Sequence, residues 1–297
     1  MEAKAVVVTG ASSGMGRACA LRLAAGGFAV FAGVRKERDA QALREGGARR
    51  LAPVMLDVTE PETIGEALRT VREAVGGSGL AGLVNNAGIA VTGPIELVPL
   101  DELRRQFEVN VFGQVAVTQA FLPLLRAARG RIVNVGSVGA RFALPFGGAL
   151  NSSKAAFESI SDSLRMELRR WGIRVVLVSP GAIRTAAEAK LVADSEEAVR
   201  AFSPEGKALY AAPYRAFVQS LLRLESHGVG PERMAETVYR AMTARVPRAR
   251  YPVGPKSRLL PFVLTRLPAS VADGLRLRLF HVYRAFGADA LPRRGTA

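Results

Sequence analysis

Cysteine is nearly missing: Cys19 is the single one in 297 residues, so no internal disulfide can form and a reducing compartment is expected. Nothing in its sequence neighbourhood would lower its pKa, so Cys19 reads as a small buried hydrophobe of the first helix. Histidine is almost as scarce. His227 and His281 stand far apart without ligand spacing, and no metal site is expected. Long hydrophobic runs are also wanting, since no stretch reaches about 18 uninterrupted apolar residues, the length that spans a bilayer. The N-terminal run MEAKAVVVTG has neither the cationic start nor the apolar core of a secretory signal. A cytoplasmic location is the expectation. Acidic residues are in deficit, 26 against 41 Lys and Arg, which raises nucleic acid as a partner. The surplus is uneven, however: from Arg245 to Ala297 eleven Arg or Lys face two Asp, so nine of the fifteen net charges sit in that tail. The rest is only mildly basic, and no nucleic-acid partner is expected.

Apolar residues make up 49% of the chain, enough for the core of one large α/β domain. Residues 5 to 8 (AVVV) form a continuous apolar run of the kind buried on both faces of a parallel sheet. Gly10, Ser12, Ser13, Gly14, Met15 and Gly16 follow, and then the helical pattern RACALRLAAGGF. Strand, glycine turn and helix together make a phosphate cradle, because glycine admits the backbone to a pyrophosphate and the helix start offers free N–H groups. After the second strand (AVFAGV) comes Arg35. A binder of NAD typically places an acid near this point, whereas Arg35 after Val34 suits the extra phosphate of NADP. NADP(H) is therefore expected, with NAD(H) as the alternative.

Further strands (RLAPVMLDV, LAGLV, IVNV, IRVVLVSP, RARYPVG) alternate with helical patterns, among them Pro61 to Val75 and Leu100 to Ala128. This alternation predicts a doubly wound, mostly parallel Rossmann sheet of about seven strands with helices on both faces. Asn110 lies among Val109, Val111 and Phe112 inside the long helix. A buried amide without partners costs about 1 to 3 kcal/mol, so Asn110 should have a specific role. Ser137 at the end of one strand and Lys154 in the first turns of the next helix are set to converge on a cleft beyond the strand ends. Four residues before Lys154, on the same helical face, stands Leu150, which has no proton to give.

Several motifs together resemble the short-chain dehydrogenase/reductases. They are Thr-Gly-x-x-x-Gly-x-Gly at 9–16, Asn-Asn-Ala-Gly at 85–88, the strand-end Ser137, Lys154 in the place of the lysine of a Tyr-x-x-x-Lys pair, and Pro-Gly-x-x-x-Thr at 180–185. The likeness runs from residue 4 to about 265, and RYPVGPKSRLLPFVLTRLP is similar to the C-terminal part of the estradiol and retinol dehydrogenase branch. Leu150 occupies the position of the family's catalytic tyrosine. The resemblance implies a catalytic set of Asn110, Ser137, Leu150 and Lys154. It also implies a cofactor-binding set of Gly10, Ser12, Ser13, Gly14, Met15, Gly16, Arg35, Asp57, Val58, Asn85, Ala87, Gly88, Lys154, Pro180, Gly181, Ile183 and Thr185. In such an enzyme the tyrosine phenol passes a proton to the carbonyl oxygen, the serine holds that oxygen, the lysine lowers the phenol's pKa and the asparagine holds a water.

Residues 1–255 are expected to form one domain, with a substrate lid at about 186–230. Residues 256–297 form a basic amphipathic extension packed on the same domain. The length of the lid suits a large apolar ligand, and the resemblance implies a bulky hydrophobic alcohol or ketone of steroid, retinoid or polyketide type. Tyr210 and Tyr214 read more readily as packing than as pocket residues. The helix carrying Phe157, Ile160, Leu164 and Leu168 pairs across a dimer in the family, which implies a homodimer or homotetramer. The tail is expected to touch an anionic membrane or an acidic carrier protein. Loss of a positioned acid/base typically costs about 10² to 10⁴ in rate, so the chain reads as a redox-impaired oxidoreductase. Two other readings stay open: a non-redox isomerase or cyclase on the same scaffold, and a non-catalytic NADP-binding protein.

Overall fold

The computed structural model describes residues 4–184, 188–255 and 257–282. Thr185, Lys256 and the tail beyond Val282 lie outside them. Seven strands, β1 (Ala5–Val8), β2 (Ala29–Val34), β3 (Leu51–Met55), β4 (Gly82–Asn85), β5 (Arg131–Val135), β6 (Arg174–Pro180) and β7 (Arg250–Val253), form one sheet in the order β3-β2-β1-β4-β5-β6-β7. Every adjacent pair is parallel, so the sheet is wholly rather than mostly parallel. The order reverses direction between β1 and β4. A crevice opens there beyond the carboxyl ends of the strands, the place where such sheets bind ligands.

The alternation along β1 shows how the sheet is covered. Val6 and Val8 face one core with α1 (Gly14–Ala25), α2 (Glu37–Glu45) and α9 (Pro231–Thr243); Ala5 and Val7 face the other, with α3 (Pro61–Val75) and α5 (Gly113–Ala128). Cys19 lies wholly inside the first core, where burial pushes its thiol up to about 12, so it is inert. The run from Leu100 to Ala128 is apolar and long enough to cross a membrane by composition alone. Val117, Phe121 and Leu125 are nevertheless fully buried against the sheet, as in the core helix of a globular domain. This run is α4 (Leu100–Phe107) continued into α5 through one widened turn, 108–112, where the Gly113 N–H reaches back five residues to the Glu108 carbonyl.

Helix α6 (Gly148–Glu167) follows the loop after β5. Beyond β6, α7 (Glu188–Ala201) and α8 (Pro204–Ser226) pack as a pair around a third apolar cluster. Tyr214 and Phe217 are buried there with Phe146 edge-on to both, and Phe280 stacks on Phe217. Two short helices, α10 (Leu259–Leu264) and α11 (Ala269–Leu279), connect β7 to that contact.

Candidate active site

The glycine turn between β1 and α1 is built by close approach. Gly10 has φ +63°, and a Cβ there would lie 2.8 Å from the Cα of Ala87. A Cβ on Gly16 would meet the Gly10 carbonyl at 2.1 Å. The Thr9 hydroxyl accepts from the amides of Asn86 and Ala87, both at 3.0 Å, and the Asn86 side chain donates to the Thr9 and Gly10 carbonyls. These bonds join the ends of β1 and β4 under the crevice. The first turn of α1 carries no acidic residue and Ser13 does not cap it, so its N–H groups stay available to an anion.

A cleft of about 500 Å³ gathers Gly10, Ser12, Ser13, Gly14, Met15, Gly16, Arg35, Asp57, Val58, Ala87 and Gly88. Arg35 is exposed on its rim, its guanidinium 3.9 Å from the Asp57 carboxylate, which Thr59 orients through its amide (3.0 Å) and hydroxyl (2.8 Å). Asn85, Lys154, Pro180, Gly181 and Ile183 lie outside this cleft, and Asn85 faces the other way. Its amide turns inward to Thr118 and Asn134, both at 2.9 Å, and the member of the pair that lines the cleft is Asn86, whose buried Oδ1 has no partner among the described residues. Lys190 of α7 also reaches the cleft while paired with Asp194 at 2.6 Å. Its place in a charged lid helix gave no signal in the sequence.

The positions expected to be catalytic lie one strand over, around the end of β5. Lys154 is half-buried as a residue, but its ammonium lies deep, donating to the Val135 carbonyl at 2.9 Å. Burial pushes its pKa down to about 8, against the opposing pull of the Glu158 carboxylate. Asn110 sits in the widened turn and clasps Ile89, accepting from its amide at 2.9 Å and donating to its carbonyl at 3.1 Å. A Cβ on Gly88 would be 3.2 Å from Asn110 Oδ1 and 3.7 Å from Lys154 Nζ, so the two groups converge over Gly88. The Ser137 hydroxyl accepts from the Gly139 amide at 3.0 Å, which leaves its own proton free to donate. Leu150 is half-buried in the first turn of α6, one turn before Lys154.

The described tyrosines are all engaged elsewhere. Tyr210 bonds Glu96, Tyr214 is buried on Thr92, Tyr239 lies under the Arg22 guanidinium, and the Tyr251 hydroxyl takes the Arg248 amide. Pro180, Gly181 and Ile183 lie at the end of β6, with the Gly181 amide on the Val253 carbonyl and Ile183 bridged to Val229. Thr185 lies outside the described residues. Sequence reasoning missed Ser153, whose hydroxyl bonds the Leu150 carbonyl at 2.8 Å and accepts from Asn110. It also missed Glu158, which accepts from the Ser179 hydroxyl and the Ser137 amide and pairs with Arg250. The i, i+4 spacing from Lys154 was the one available hint of Glu158.

The family model described as short chain dehydrogenase matches residues 4–196. An NADPH-dependent 3-dehydrocapnine reductase of Ornithobacterium rhinotracheale is 35% identical over 272 residues, covering 90% of this chain and 94% of the relative. Retinol dehydrogenase 5 of Mus musculus is 37% identical over 278 residues, 91% of this chain and 86% of that protein. Among solved structures, a short chain dehydrogenase from Burkholderia cenocepacia J2315 in complex with NADP superposes with a TM-score of 0.69 at 26% identity, over 94% of this chain and 98% of that one. The sheet order, the glycine cradle and these relatives agree, and the chain belongs to the short-chain dehydrogenase family.

Proposed function

We infer that the chain is an NADP(H)-dependent oxidoreductase scaffold for a bulky hydrophobic alcohol or ketone of steroid, retinoid or polyketide type, impaired in proton transfer as its sequence stands. The observation that supports this reading is that Lys154 and Asn110 converge over Gly88 at the cofactor cleft while Leu150, one turn before Lys154, has no proton to give. The cradle fits a dinucleotide, since the first turn of α1 offers uncapped N–H groups with no acidic residue beside them and Asn86 Oδ1 is buried without a partner among the described residues. Arg35 on the rim suits the additional phosphate, and the Ornithobacterium relative and the Burkholderia structure support NADP(H) by what their names state.

A bound nicotinamide would supply or accept the hydride. The Ser137 hydroxyl, already holding the Gly139 amide, has its proton to offer a substrate oxygen. Lys154 spends one of its three donors on Val135 and has two left, with its Nζ close to Gly88. Leu150 can exclude water there but can neither give nor take a proton.

Leu150→Tyr tests the reading. The phenol would stand one helical turn from Lys154, and single-turnover NADPH oxidation against steroid, retinoid and aromatic ketones should rise at least ~10²-fold, the low end for a positioned acid/base. Affinity for NADPH should hardly change. A folded, NADPH-binding tyrosine variant that reduces nothing, beside a Leu150 protein with some other activity, would transfer the chain to the isomerase or cyclase class.

A further inference from the structure

A cleft of about 750 Å³ runs along the outer edge of β7, between α9 and the turn that leads into α10. Six arginines line it: Arg141, Arg233, Arg240, Arg248, Arg250 and Arg258. No Asp or Glu is among its described lining residues. Arg250 is committed to Glu158 and Asp162, but among the described residues no carboxylate lies within salt-bridge distance of the other five. These five come from separate parts of the chain: the turn after Ser137, two exposed positions two turns apart on α9, the α9–β7 loop, and the residue before α10. Helical spacing of surface charge therefore does not account for the cluster. The fold brings it together.

Guanidinium groups gathered without a counter-charge repel one another, and even in high dielectric each close pair costs on the order of 1 kcal/mol. Their planar forks match tetrahedral oxyanions two bonds at a time, and a multivalent anion would turn the repulsion into attraction. The volume is that of a small-molecule site, and it is a bounded cleft rather than a basic stripe along which a nucleic acid could lie. A second copy docked with this cleft on the two-fold axis would set these arginines against their own equivalents, a like-charge contact that costs several kcal/mol.

We propose that the arginine cleft beside β7 is a binding site for a phosphate-bearing anion, separate from the cofactor cleft. The two clefts share no lining residue. The arginine cleft borders the end of β6, since a Cβ on Gly181 would lie 3.5 Å from Ser257 and 3.8 Å from Val138, both of which line it. An anion held there would brace the Ser137–Arg141 turn and the turn after β7 from behind.

The test titrates inorganic pyrophosphate by calorimetry into full-length protein saturated with NADPH, so that the glycine cradle is filled. The same protein is assayed for sedimentation with phosphatidylglycerol vesicles. Arg233→Ser/Arg240→Ser and, separately, Arg248→Ser are compared with the parent; all three side chains are exposed, and circular dichroism confirms folding. One saturable pyrophosphate site, weakened at least ~10-fold in each variant as expected for a lost charge-assisted bond, supports a soluble phosphate ligand. Vesicle binding alone, weakened likewise in both variants, assigns the same site to a lipid headgroup. No binding in either arm, or binding that the variants leave unchanged, overturns the proposal.

Discussion

Lys154 ties the chemistry of the site to its stability. Folding lowers its pKa from 10.5 to about 8 by burial, so between those values the folded chain holds fewer protons than the unfolded one. Stability from this group therefore rises with pH across that window, and below about pH 8 the full penalty of a buried ammonium is present. In cofactor-free protein, Lys154→Met should be stabilised relative to the parent at pH 7, and the gap should close as the pH approaches 10. Denaturant unfolding of both proteins across that range reads this difference, and the opposing titration of buried Cys19, common to both, cancels. A gap that stays constant would mean that the ammonium is solvated. Arg35 makes the second residue-level prediction: Arg35→Ser should weaken NADPH binding by at least ~10-fold while leaving NADH affinity nearly unchanged, the loss expected for a charge-assisted bond to one extra phosphate. Fluorescence titration of both cofactors decides it, and equal losses would remove Arg35 from that role.

At the scale of elements, the edge strand β7 is fastened to α6 through one residue. Arg250 bonds Glu158, and Asp162 at 2.5 Å, from a strand of four residues. Glu158 is buried, and without Arg250 it would keep only Ser179 and the Ser137 amide. Arg250→Met should therefore destabilise the domain at the low end of the ~3–5 kcal/mol typical of a broken buried pair, the low end because the Arg250 side chain is itself 33% exposed. Adding Glu158→Gln should restore part of that loss, which urea unfolding of the cycle measures; a double variant no better than the single one would show that Glu158 is not the stranded charge. This pair was illegible in the sequence because 92 residues separate its members. The strands and the glycine cradle, by contrast, are written in short windows: AVVV running into Gly10 states its own burial and its own turn. The positions proposed as catalytic came from motif spacing, and the widened turn that aims Asn110 left no such mark, because one extra residue in a helical turn is not written in any motif. Asn85 and Asn86 divide the work of their motif: adjacent residues at a strand end point to opposite sides, so Asn85 braces the neighbouring elements while Asn86 reaches the glycine turn.

Across the whole molecule, apolar side chains and positive charge coincide on the C-terminal helices. Val271, Leu275 and Leu279 recur every four residues along one side of α11 and are 48%, 42% and 48% exposed, and Leu259 and Phe262 of α10 are 62% and 54% exposed. Arg258, Arg266 and Arg278 stand among them, with the Arg266 guanidinium 3.6 Å from the centre of the Phe262 ring. An apolar face set among arginines suits the headgroup boundary of an anionic bilayer, where leucine enters the acyl region and the guanidinium stays with phosphate. The proposed peripheral membrane contact therefore rests on two separable contributions, and each has its own signature. Binding to phosphatidylglycerol vesicles should weaken between 0.1 M and 1 M salt, as the screening length falls from about 10 Å to about 3 Å. At fixed low salt, Leu275→Asp/Leu279→Asp should weaken it by at least ~10-fold, since burying a single leucine is worth about 1.5 to 3 kcal/mol. Salt sensitivity without any effect of the leucine pair would leave only electrostatic adsorption, and α11 would then owe its exposed face to some other contact. Loss of binding in the leucine variant, with the arginines intact, would show that the apolar side of α11 enters the membrane and that charge alone does not hold the chain there.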